Sequence, residues 1–141
     1  MLSERCYIND IIKAAGKLSV NIVDEGMLPE ADYVGSASGA KVDKSGVFEF
    51  ETGEAETPII EKAPLTMECT VVDVYETKGF ESFICMIDNT YVEEEHLNED
   101  GKINYQTLKT PLSNIFITPN LFVYIKYHIF TSKSIFFCLL W

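Results

Sequence analysis

The sequence predicts a mainly β fold with short helices, and three observations carry that reading. The runs "LTMECTVVDVY" and "ESFICMIDNTYV" alternate apolar and polar residues on either side of "ETKGF", which makes them an antiparallel hairpin. "KLSVNIV" alternates as well, with Leu18, Val20 and Ile22 on one side of a strand and Ser19 and Asn21 on the other. The helical patterns, by contrast, are brief and run into glycines at Gly16 and Gly35.

From the N-terminus, "YINDIIKAAG" places Ile8, Ile11, Ile12 and Ala15 at helical spacing, so Tyr7 to Gly16 forms an amphipathic helix. The strand "KLSVNIV" follows it. In "DEGMLPEADYVG", Asp24 is positioned as a cap and Pro29 near a helix start, with Gly35 at the end. "SGVFEFETGEAETPIIEKAP" is rich in Gly, Pro, Glu and Thr and is expected to run over the surface with at most short strands. The hairpin then occupies Leu65 to Val92. Beyond it, "NEDGKI" resembles the middle of a calcium loop, but Gly101 at the sixth position puts His96 first and Thr107 last. Calcium needs acidic oxygens at both places, so a polar turn at Asp100 and Gly101 is the better reading. Glu93, Glu94 and Glu95 form a solvated face.

A chain of 141 residues has room for one ordinary core. We expect a domain over residues 1–112 and an atypical apolar tail over 113–141. The net charge of −11 disfavours nucleic acid and anionic membrane surfaces as partners. Cys6, Cys69, Cys85 and Cys138 include no CxxC pair, so no metal site is expected; Cys69 and Cys85 fall in the apolar phase of strands as reduced core thiols. With charges where a signal peptide needs its apolar stretch, "MLSERCYIND" points to a cytoplasmic chain. The tail has no acidic residue, and its uncharged run from Leu112 to Ile125 includes Pro119 and falls short of the about 20 residues that span a bilayer. Its abrupt change of composition reads as a shift of reading frame near Leu112.

"DYVGSASGAKVDK" concentrates the chemistry. A hydrolase elbow needs a nucleophile between its glycines, and Gly35–Gly39 has Ala37 there. The only histidines, His96 and His128, do not supply a convincing base. A phosphate cradle asks for backbone N–H groups, hydroxyls and a lysine, which Gly35, Ser36, Ser38, Gly39, Lys41 and Lys44 supply. The same residues also suit a plain surface turn. They match neither G-x-G-x-x-G nor the P-loop pattern.

"IIKAAGKLSVNI", "ADYVGSASGAKVDK", "APLTMECTVV" and "LNEDGKINYQTLK" together resemble successive segments of the flavin reductase-like, or flavoredoxin, family, from about Ser3 to Leu112. The resemblance implies an FMN-binding split β-barrel, antiparallel and Greek-key. It implies FMN as cofactor, a reduced nicotinamide (NAD(P)H) or a protein as electron donor, and a homodimer. By position it makes Lys44 the lysine expected to contact FMN, with Ser36, Ser38 and Gly39 beside it and Ser3 and Arg5 in a segment that approaches the phosphate. Ile8 stands where the family often has a threonine, and Phe80 where flavoredoxin has a histidine; each removes a polar contact. Family members usually begin with strands that carry an asparagine and a tryptophan near the flavin, and this chain is expected to start after them. The expected function is electron transfer through bound flavin, with a non-catalytic flavin-binding module or an inactive remnant of a disrupted gene as alternatives.

Overall fold

In a computed structural model, residues 7–78, 80–104, 106–108 and 122–124 are described. Helix α1 (Tyr7–Ala15) leads into β1 (Lys17–Ile22), and a 3-10 turn (Glu25–Met27) leads into α2 (Leu28–Ser36). A small hairpin of β2 (Phe50–Thr52) and β3 (Pro58–Ile60) precedes the long one of β4 (Leu65–Thr77) and β5 (Phe80–Val92), and β6 (Phe122–Tyr124) is the last strand among the described residues. The larger sheet has the order β1-β4-β5-β6, antiparallel except for β6, which lies parallel to β5. The fold is mainly β with short helices, and the described strands close no barrel. No helix among the described residues is long and apolar enough to cross a membrane.

Gly16 ends α1 as expected. Its φ of 69° is a left-handed conformation, and its N–H returns to the Ile12 carbonyl at 2.8 Å. The chain then turns straight into β1, and α1 lays Ile12 on the sheet. There Leu18, Val20, Met67, Cys69, Phe83 and Cys85 complete the main core, the two cysteines as free, buried thiols. Asp24 accepts from the Met27 N–H at 3.1 Å, capping the turn before α2. Ala31 and Val34 of α2 pack with Phe48, Ile60 and Ala63 in a second core.

The segment expected to run over the surface does not all do so. Thr57, Ile59 and Ile60 are buried because β3 covers the side of β1 and β4 opposite the main core. That side is polar. Register pairs Ser19 with Glu68 and Asn21 with Thr66, and all four are at most 1% exposed. The predicted turn at Asp100–Gly101 is present, with Gly101 at φ 71° and Leu97 bridged to Ile103. Of the expected tail, only 122–124 lies within the described residues.

Candidate functional site

The residues singled out as a cradle fall on one loop after α2. This helix runs out at Ser36, and the N–H of Ala37 still reaches the Tyr33 carbonyl at 3.0 Å. The Ser36 hydroxyl donates to the same carbonyl at 3.1 Å. One further turn forms as the Ser38 carbonyl accepts from Lys41 at 2.9 Å and Val42 at 3.0 Å. The N–H groups of Ser38, Gly39 and Ala40 find no acceptor among the described residues, and all three residues are exposed. Three successive donors facing no protein acceptor suit an anionic oxygen.

Lys44 sits differently from a lysine simply extended towards a ligand. Its ammonium donates to the carbonyls of Val34 and Ala37, each at 2.9 Å, and so holds the loop against the end of α2. The C-terminal end of a helix is its negative pole, unfavourable to an anion on its own; the Lys44 charge offsets it. Lys41, exposed, lies within the same loop. Asp43 accepts from the Ser45 N–H at 2.9 Å, and that bond holds its carboxyl below the usual range. The donor set of N–H groups, hydroxyls and ammoniums fits the phosphate of a nucleotide-like group. Among the described residues no group of three potential metal ligands converges.

Ser3 and Arg5 lie outside the described residues, as does the side chain of Phe80. Ile8 is half-buried against the main core. Next to it, Asn9 donates to Glu81 at 2.7 Å while its Oδ1, buried, has no partner among the described residues. Lys13 on the same helix pairs with Glu76 at 2.7 Å and with Glu81, tying α1 to the far end of the long hairpin.

A second polar centre has no local signature in the sequence. Glu68, fully buried, accepts at Oε1 from the Thr57 hydroxyl at 2.8 Å and at Oε2 from Asn89 and Tyr91, both at 3.0 Å. The N–H of Ala55 lies within 3.2 Å of both oxygens, and that of Thr57 is 3.4 Å from Oε1. Burial pushes this carboxyl up, but the bonds from Asn89, Thr57, Ala55 and Tyr91 outweigh it and hold the group below the ordinary glutamate range. Every donor comes from the protein itself, so the cluster anchors the small hairpin. A cleft beside Tyr91 is rimmed by Glu51, Glu61, Glu93 and Glu94, which makes it a poor place for phosphate.

The family profile described as "Flavin reductase like domain" matches residues 1–115. Among solved structures, the flavoredoxin of Methanosarcina acetivorans is 35% identical with a TM-score of 0.70, over 76% of this chain and 57% of its own. The flavoredoxin of Desulfovibrio vulgaris (Miyazaki F) is 26% identical with a TM-score of 0.66, over 76% and 58%. An FMN-binding protein from Thermus thermophilus, solved with bound 1-cyclohex-2-enone, shares the fold at 24% identity and a TM-score of 0.63, over 72% of this chain and 56% of its own. The chain thus spans less than two thirds of the length of these relatives. No curated protein matches it.

Proposed function

The chain belongs to the flavin reductase-like family, and from that premise we propose that it binds FMN and serves as an oxidoreductase that passes electrons through the bound flavin. The observation that carries the proposal is the loop 36–44, where the exposed N–H groups of Ser38, Gly39 and Ala40 stand beside Lys41 and Lys44. In this reading Ser36, Ser38, Gly39 and Lys44 contact the cofactor. The loop's N–H groups bind phosphate oxygens, and Lys44, clamped on the end of α2, cancels the helix-end charge that would repel them. Ser3 and Arg5 approach the same phosphate. The redox chemistry is what FMN supplies when bound; the protein supplies position and electrostatics. NAD(P)H or a protein is the electron donor, the site works within a cytoplasmic homodimer, and residues 1–112 form the functional domain.

A non-catalytic flavin-binding module is the second reading, favoured by Ile8 and Phe80, which bring apolar side chains to places where the family often has polar ones. The two separate on turnover.

Titration with FMN and with riboflavin, which lacks the phosphate, tests binding. We expect FMN to bind at least about tenfold more tightly, a difference of about 1.4 kcal/mol, and Lys41→Ala and Lys44→Ala to narrow that ratio. Equal affinity for the two flavins would remove the phosphate cradle from the account. Flavin-dependent oxidation of NADH, NADPH or a reduced protein donor then selects the oxidoreductase, and stable binding without turnover from any of them selects the module.

A further inference from the structure

We propose that His96 and Glu95 hold a divalent transition-metal ion such as Zn²⁺ at the base of the turn that the Leu97–Ile103 bridge closes. The stretch that resembles a calcium loop folds back on itself. His96 and Thr107, its first and last positions, meet at 2.9 Å between Nδ1 and Oγ1. The Thr107 hydroxyl also lies 2.9 Å from the Asn104 carbonyl, which can only accept, so its one hydrogen goes there. Towards the imidazole Oγ1 is therefore an acceptor, and the ring carries its hydrogen on Nδ1. In the neutral ring this leaves Nε2 as a bare lone pair.

Three features suit that lone pair to a metal. First, a metal-ligating histidine characteristically donates its other ring N–H to a protein acceptor, as Nδ1 does here through Thr107 to a backbone carbonyl. Second, Nε2 stands 3.5 Å from Oε1 of Glu95. Two ligands each about 2.1 Å from a tetrahedral ion lie about 3.4 Å apart, so one ion bridges this pair with little movement. Third, the ring is held while the mouth of the site is open. His96 is buried, its carbonyl accepts from the Asn104 N–H at 2.7 Å, and its own N–H reaches the Glu93 carbonyl at 2.9 Å. Glu95, by contrast, is 80% exposed. With no third side chain converging among the described residues, water completes the shell. A mixed imidazole and carboxylate pair suits Zn²⁺, Cu²⁺ or Ni²⁺ rather than Ca²⁺ or Mg²⁺. The expectation of no metal site came from the cysteines, and neither ligand here is one. This site does not depend on the flavin reading.

Imidazole nitrogen NMR of the full, flavin-free chain tests this without altering the site. His128→Gln leaves His96 as the only imidazole, and Cys6→Ser with Cys138→Ser removes the thiols outside the core. At pH 8 we expect the Nδ1–H tautomer before metal is added, and a saturable shift of the Nε2 resonance at one Zn²⁺ per chain. Glu95→Gln and Thr107→Val should each weaken Zn²⁺ about tenfold, the first by removing a ligand and the second by releasing the ring. Glu51→Gln and Glu61→Gln, on the rim of the acidic cleft, should leave the affinity unchanged. An Nε2–H tautomer in the metal-free chain, or an Nε2 resonance unmoved by millimolar Zn²⁺, overturns the proposal. So does an affinity that Glu95→Gln leaves intact or that the two cleft substitutions lower as much, because the ion would then sit on acidic surface rather than on this pair.

Discussion

A side chain at position 53 has no room: the Cβ of any other residue there falls 2.2 Å from Oε1 of Glu68. Gly53 lets the turn of the small hairpin close directly on the buried carboxylate, with Glu56 at a φ of 60° completing the tight reversal. The same Cβ would also meet the Ile59 side chain at 2.7 Å. We therefore expect Gly53→Ala to cost about 1–3 kcal/mol through overpacking. Gly46→Ala, where nothing lies within 4 Å, should change stability far less. Urea unfolding of both variants checks this; equal midpoints would mean that the hairpin is not seated on Glu68.

Acid should loosen the same contact. The folded-state pKa of Glu68 is depressed, so its contribution is present above the ordinary glutamate pKa of about 4.3 and is lost as the pH falls through the lower, folded value. Glu68→Gln replaces one acceptor oxygen by a donor facing other donors, and should cost about 1–3 kcal/mol at pH 7. Its unfolding midpoint should then fall less steeply than wild type between pH 5 and 3, about one pH unit either side of the ordinary value. Parallel acid limbs for the two proteins would count against Glu68 as the titrating group.

The reach of the sequence follows from which contacts are local. Ile8, Ile11, Ile12 and Ala15 announce α1 within two turns, and the alternation from Leu65 to Val71 announces β4, because each period is written in neighbouring residues. The same alternation cannot say what lies over Ser19, Asn21, Thr66 and Glu68. A polar strand face looks alike whether it meets water or a hydrogen-bonding hairpin. Here Asn21 accepts from Ile60 at 3.0 Å and from Thr66 at 2.8 Å, contacts between residues far apart in the chain. The need for Gly53 follows from the same distant contact, since only the fold brings Glu68 against that turn. Lys44 shows the converse case. Its place in "GAKVDK" marked it as a chemical residue, but its seat on the carbonyls of α2 required the loop to fold back on the helix.

Lys44 should therefore have a structural effect separable from any ligand effect. Removing its ammonium leaves the Val34 and Ala37 carbonyls without their cation at the negative end of a helix. We expect Lys44→Ala to lower the stability of the flavin-free protein by about 1–2 kcal/mol. Lys41→Ala, with no such bonds, should leave thermal unfolding nearly unchanged. If Lys44→Ala melts like wild type without flavin, the two carbonyl bonds carry no stability.

The core cysteines should be chemically silent in the folded chain. Burial, with the neighbouring Cys85 adding to it, pushes the Cys69 thiol up to about 12, and burial raises Cys85 as well. Since the thiolate is the nucleophile, near-neutral pH leaves almost none of it on Cys69, and the main core denies reagents access. In a Cys6→Ser, Cys138→Ser background, Ellman's reagent at pH 8 should find almost no thiol until denaturant is added and two thereafter. The rate of that labelling, followed across a denaturant series, should track global unfolding, because both cysteines sit in the core that joins α1 to the long hairpin. Fast labelling in the absence of denaturant would show instead that β4 and β5 separate locally, and that the strands flanking Phe83 open without the rest of the fold.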